Sequence, residues 1–292
     1  MSDASLQAGR RRDELDAIIE EVIASEQIDQ RALDRILRRH PREGRGIYSK
    51  REILSAFRSR GGGESHGTSE LDFVEKLRTC PTRSASGVTP VAVLTRPIPC
   101  PGRCLFGPSE AGMPKSYLAD EPGCQRAAAN RFDPYLQTWN RLLAYRRMGH
   151  PTAKIELIVL GGTWSSYPEA YQVWFVRRCL EALNDFGAGL DGREQVAELT
   201  AFPEPSPSEW GVLEEAQCAN ESSRSRCVGL ALETRPDHVS AEEVLRIRRL
   251  GGTKVQVGVQ SLSDRVLLEN RRGLVVAASR RALHLLRGAG FK

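Results

Sequence analysis

Four short apolar runs, at Val88–Thr95, Lys154–Leu160, Arg226–Thr234 and Lys254–Gln260, alternate with segments whose apolar residues recur every three or four positions. That alternation leaves few folds open. A parallel strand pair needs a long crossover, which a helix supplies, so repeated strand–helix units predict a mainly parallel sheet covered by helices. Helices are expected over Phe132–Met148, Tyr167–Leu183, Ala241–Leu250 and Leu274–Arg287, with Ser240 capping the third. Pro90 lacks an amide donor and is confined to the start of the first strand. The stretch 187–225 is poorer in period. Within it Pro203-Glu204-Pro205-Ser206-Pro207 reads as a surface excursion, with Trp210 as a candidate anchor.

Such a fold meets its ligands at the C-terminal ends of the strands, and polar residues gather there. Gly161-Gly162-Thr163 follow the second run, Glu233, Thr234 and Arg235 end the third, and Gln260 and Ser261 end the fourth. Paired glycines let backbone approach a ligand and expose amide donors, although a tight strand-to-helix turn needs glycine as well. The plain structural alternative pairs Glu233 with Arg235 or Lys254 and sets Gln260 on turn amides.

The first 80 residues differ. From Asp13 to Leu37 the apolar spacing predicts short amphipathic helices, and Ser49-Lys50-Arg51-Glu52 has the spacing of a capping box. Gly61-Gly62-Gly63 breaks the helix that follows, and 64–69 reads as a connector. Residues 1–80 are therefore expected as a small helical domain and 81–292 as the α/β part. Between Arg31 and Arg60 stand ten Lys or Arg against three Asp or Glu. This excess is enough to hold a phosphate backbone without reading its sequence; the alternative is a solvated helical face.

With 292 residues, 40% of them hydrophobic, the chain can bury a sizeable core. Seven cysteines behind a polar start argue against a secreted disulfide scaffold and for a reducing cytoplasm. No apolar stretch is long enough to predict a membrane span. The run Cys100-Pro101-Gly102-Arg103-Cys104-Leu105-Phe106-Gly107 reads as an iron–sulfur loop whose third ligand has become glycine. Zinc is the alternative for two close cysteines, but no second ligand pair accompanies them. Cys124 is a candidate replacement donor. For Cys80, Cys124, Cys179, Cys218 and Cys227 the ordinary expectation is packing.

Taken in order, Cys100-Pro101-Gly102-Arg103-Cys104, Pro114-Lys115-Ser116-Tyr117, Arg131-Phe132-Asp133-Pro134-Tyr135, Gly161-Gly162-Thr163-Trp164, Glu233-Thr234-Arg235-Pro236-Asp237 and Gly258-Val259-Gln260-Ser261 resemble the catalytic subunit family of the Elongator complex. The resemblance runs from about Asp13 to Lys292. It implies a radical S-adenosylmethionine (β/α) barrel, here partial, behind a small helical domain. It also implies tRNA wobble uridine-34 modification of the carboxymethyl-forming type, with a 4Fe-4S cluster, S-adenosylmethionine and acetyl-coenzyme A.

By that resemblance Cys100 and Cys104 are cluster ligands and Gly107 stands where the third belongs. Gly161, Gly162 and Thr163 line the methionyl end of S-adenosylmethionine, with Glu233 and Gln260 near the rest of it. Lys115 and Tyr117 are implied in acetyl-coenzyme A or tRNA contacts, and the basic helices join the tRNA surface. The family continues beyond Gly290-Phe291-Lys292 through further strands and an acetyltransferase domain, which is expected to be absent. The isolated chain, a tRNA uridine(34) acetyltransferase by resemblance, is accordingly expected to be impaired, with Gly107→Cys restoring the cluster. A non-enzymatic tRNA-binding remnant and one half of an enzyme completed by a second polypeptide are the alternatives.

Overall fold

A computed structural model describes residues 3–25, 28–42, 46–62, 68–78, 80–197, 201, 203 and 207–292. Most of the connector at 64–69 and the centre of the proline-rich excursion lie outside the described residues. The chain divides into two compact units, one of residues 1–86 with 143–151, the other of 87–142 with 152–292.

The first unit is helical. Helices α1 (Asp3–Ala24), α2 (Gln30–Arg39), α3 (Lys50–Ser59) and α4 (Glu70–Leu77) bury one stripe each, and Ile18, Ile19, Leu33, Ile53, Leu54, Phe57 and Phe73 meet in a closed core. Phe57 stacks on Phe73 with ring centroids 3.9 Å apart. Helix starts are capped as local chemistry predicts. Asp29 accepts from the Ala32 amide at 2.6 Å, and Ser49 and Glu52 form the reciprocal capping box, satisfying two donors the helix cannot.

In the second unit strands β1 (Thr89–Leu94), β2 (Lys154–Leu160), β3 (Arg226–Thr234) and β4 (Lys254–Val257) form one sheet in the order β1-β2-β3-β4. All three pairings are parallel, with Leu94 opposite Leu160, Val159 opposite Leu232 and Thr234 opposite Val257. The fold is α/β, a small parallel sheet preceded by helices, as in a partial (β/α) barrel. The β2–β3 register shifts once, between Ile155 and Glu156, and because all pairings are parallel the four C-terminal ends lie along one edge.

The intervening helices are α5 (Pro122–Ala129), α6 (Pro134–Arg147), α7 (Glu169–Ala188), α8 (Pro207–Glu221), α9 (Ala241–Arg249), α10 (Asp264–Glu269) and α11 (Val276–Gly288). Ser240 caps α9 by accepting from the Glu243 amide. Helix α7 runs five residues beyond Leu183 to a left-handed Gly189, where the missing Cβ lets the chain turn. Strand β4 stops three residues short of Gln260: the Gly258 amide makes the last bond to β3, at Thr234 O, and Gln260 adopts a left-handed φ of 68°. Helix α8 occupies part of the stretch that lacked period; its Trp210 donates to Glu169 and lies under the Arg249 guanidinium at 4.1 Å.

Candidate functional site at the strand ends

The floor of the site is a network of buried polar and aromatic side chains following β1 and β2. Tyr167 OH donates to Arg96 O at 2.6 Å and therefore accepts from Thr95 Oγ1 at 2.7 Å. The Arg96 amide donates to Tyr171 OH, and fully buried Gln172 donates to Trp164 O. Tyr167 and Tyr171 stack with centroids 5.0 Å apart. Gly161 sits at φ 135°, and a Cβ there would overlap Thr95 Oγ1. Close packing of β1 against the β2 turn thus requires glycine at 161. Ser165 and Thr234 share a hydroxyl hydrogen bond of 2.7 Å, which ties the β2 turn to the end of β3.

Above this floor lies a cavity of about 80 Å³ whose walls include Cys100, Cys104, Lys115, Gly161, Gly162, Thr163, Glu233 and Gln260. Of the candidates named from the motifs, these eight share the cavity walls, whereas Gly107, Tyr117 and Ser261 are not among them. Tyr117 OH donates to Glu233 Oε2 at 3.3 Å. Burial raises the Glu233 carboxyl above its ordinary range, and the Tyr117 hydrogen bond partly opposes that rise. Burial, followed by the Glu233 charge, pushes the Tyr117 phenol well above its ordinary value. Lys115 Nζ donates to Gly107 O at 2.8 Å and Ser109 Oγ at 2.7 Å, so it braces the cysteine loop.

Further wall residues include Arg235, which the sequence placed at the end of the third run, Arg272 and Ser116. Arg235 ends β3 and grips Asp237 with two hydrogen bonds of 2.9 and 2.7 Å. Arg272 donates to Gly258 O at 2.6 Å and approaches Cys104 Sγ at 3.7 Å. Ser116 stands beside Gly107. The Arg235-Pro236-Asp237 triplet was a visible signal for the first of these. Arg272 has none, because it enters from the loop after α10 and only tertiary folding delivers it.

The donor set does not match a three-thiolate cubane. Cys100 and Cys104 line the cavity, but Gly107 has a φ of 74° and a Cβ on it would overlap Ser116 Oγ. A cysteine introduced by Gly107→Cys would therefore need Ser116 to move. Cys124 is fully buried in α5, packed with Leu94 and Ala127, and is not among the cavity walls. Burial raises its thiol pKa, with Glu121 adding to the rise. Among the described residues no group of three or more His, Cys, Asp or Glu is placed to hold a metal ion. Cys179 is buried in α7, whereas Cys80 and Cys218 are exposed. Cys227 points its thiol at Gly229 O, and burial pushes its pKa up to about 11.

Among the described residues no helix is long and apolar enough to cross a membrane. No protein-family model matches the chain. It is 37% identical over 281 residues to the tRNA uridine(34) acetyltransferase of Methanocaldococcus infernus, covering 89% of this chain and 48% of the relative. The enzyme of that name from Dehalococcoides mccartyi is 40% identical over 72% of this chain and 41% of its own length. Human Elongator complex protein 3 is 31% identical over 75% of this chain and 38% of its own. The solved structure of the archaeal Methanocaldococcus infernus Elp3 with an N-terminal deletion superposes with a TM-score of 0.50 at 34% identity, over 70% of this chain and 36% of that one. The chain spans about half the length of the first two curated relatives it matches. Over that shared part, the chain is a homologue within the tRNA uridine(34) acetyltransferase and Elongator complex protein 3 family.

Proposed function

We propose that the chain serves wobble uridine-34 modification of the carboxymethyl-forming type, that its own contribution is to hold tRNA, and that turnover by the isolated chain is impaired. The relatives' names supply the substrate class. A stripe of free cations on α2 supplies the chemistry. Arg31, Arg35 and Arg38 are exposed at i, i+4 and i+7, one face of the helix, while Leu33, Ile36 and Leu37 are buried on the other. Among the described residues no carboxylate pairs with those three, whereas Arg39, Arg42, Arg58 and Arg60 each meet one. Free surface guanidiniums in a row bind phosphates by releasing counterions.

In this reading Gly161, Gly162, Thr163, Glu233 and Gln260 are the residues that would face S-adenosylmethionine. Lys115 would act toward acetyl-coenzyme A only by ordering the loop. The cavity of about 80 Å³ adjoins another of about 560 Å³ that shares Cys100, Cys104 and Lys115 with it. Two thiols leave a cubane short of a sulfur donor from the chain, and this observation carries the expectation of impaired turnover. The test has two arms on the full chain. Binding to tRNA should be measurable at low salt and fall steeply as salt rises; no binding at low salt overturns the reading. Anaerobic reconstitution with iron and sulfide should leave wild type with substoichiometric iron, and a full cubane that cleaves S-adenosylmethionine overturns the impairment.

A further inference from the structure

The N-terminal half of β3 carries an extra residue. Cys227 lies opposite Ile155 and Gly229 opposite Glu156, so Val228 has no partner on β2 and stands 45% exposed. Beside this irregularity, between β3 and helices α7, α8 and α9, is a cavity of about 520 Å³. Leu157, Val176, Leu180 and Leu230 give it an apolar wall. Polar side chains close another side, where Gln217 Nε2 of α8 donates to Arg249 O at 3.1 Å and Arg249 pairs with Glu214 at 2.9 Å. Arg226 and Arg248 line it too. Arg248 spends Nε and Nη2 on Ala289 O and Nη1 on Gly252 O, carbonyls that satisfy its donors without cancelling its charge. Among the described residues no carboxylate pairs with Arg226 or Arg248, and Glu221 is the one carboxylate in the wall.

We infer that this cavity binds a small amphiphile, a monocarboxylate with a medium-length aliphatic tail, whose head group meets Arg226. Size supports it, since small-molecule sites enclose about 300–1,000 Å³ and are mostly apolar with a few polar groups that fix orientation. The tail gains about 0.8 kcal/mol for each methylene set against the leucines and valine. Charge supports it as well: three arginines face one glutamate in the wall, and a planar guanidinium fork matches the paired oxygens of a carboxylate. Cys227 shares the wall with its thiol donating to Gly229 O at 3.3 Å, and burial pushes its pKa up to about 11, so it is a slow nucleophile placed where a bound ligand would cover it. Glu233 and Arg235 stand at the other end of β3. Occupation of this site is therefore separate from the strand-end chemistry and does not depend on tRNA holding or on cluster assembly.

The test uses the full chain, reduced, titrated separately with octanoate, octan-1-ol and acetate below micelle-forming concentrations. The readout is the rate at which N-ethylmaleimide alkylates Cys227, followed by peptide mass spectrometry. Exposed Cys80 and Cys218 serve as controls within the same chain. Octanoate at twice its dissociation constant should slow Cys227 by about threefold, leave the controls unchanged and raise the melting temperature. Acetate, which lacks the tail, should do none of this. Octan-1-ol should bind about threefold more weakly than octanoate, and Arg226→Gln should weaken octanoate by the same factor while leaving the alcohol unchanged. An unaltered Cys227 rate with octanoate, or equal slowing by acetate at matched ionic strength, overturns the inference. Octan-1-ol binding wild type as tightly as octanoate overturns the carboxylate head group. Should Cys227 prove too slow to follow in the free protein, the absence of a saturable melting shift with octanoate also overturns the site.

Discussion

Arginine serves two different ends in the two units. On α2, Arg31, Arg35 and Arg38 stand in water with buried leucines and an isoleucine behind them. Their charge is already solvated, so it costs the fold little and is available to a polyanion. At the strand ends Arg235 and Arg272 are stripped of water, and what surrounds them decides their worth. A buried guanidinium is tolerated where carboxylates and carbonyls meet it, and each N–H left over carries a desolvation cost of about 1–3 kcal/mol. A count of positive charges along a chain therefore says little about function until burial divides those that bind partners from those that hold the fold.

The sharpest way to break this contrast is Gly161→Ala. Its Cβ meets Thr95 in the floor of the buried site at a φ of 135°, so a loss of about 3 kcal/mol in urea unfolding is expected. A loss below about 1 kcal/mol would mean that the strand-end floor is as yielding as the helical surface. Next comes Asp237→Asn, which leaves Arg235 without its charge partner. Because the Asp237 side chain is 28% exposed, the expected cost is about 2 kcal/mol, below that of breaking a fully buried pair.

Replacing Arg31, Arg35 and Arg38 together by Gln should change stability by less than about 0.5 kcal/mol. The slope of log affinity for tRNA against log salt should drop by about 2 to 3. A slope like that of wild type would remove α2 from the tRNA surface. The smallest effect is expected of Glu233→Gln. The folded protein holds the Glu233 proton more tightly than the unfolded chain does, since burial raises this carboxyl above its ordinary 4.5. Its contribution to stability is therefore greatest below that value and lost as pH rises through the raised folded value. The variant should flatten this part of the stability–pH curve and be no less stable than wild type at neutral pH. An unchanged curve would show Glu233 solvated like the arginines of α2.

Local signals made much of the molecule legible. Strands β2 and β3 lie where their apolar runs end, because Ile155, Leu157 and Leu230 are buried on the sheet. The Ser49 capping box and the Ser240 cap formed because each satisfies backbone donors within three residues, a range that sequence spacing reports directly. Helix α8 was not legible: its buried stripe is thin, with Leu213 and Ala216 facing inward among polar residues. Arg272 was hidden for a different reason, since it meets Cys104 across 168 positions of chain.

The amino-acid sequence by itself determined the strand–helix alternation, the helix caps, the pair of thiols with glycine in the third position and the relationship to its family. Each is carried by residues near one another in the chain. Tertiary structure alone decided that Ser116 fills the space beside Gly107, that Cys124 is packed away from the cavity, and that two under-bonded guanidiniums close on Cys100 and Cys104. Those outcomes depend on which distant segments share a volume, and hydrogen bonding and desolvation are settled only once they do.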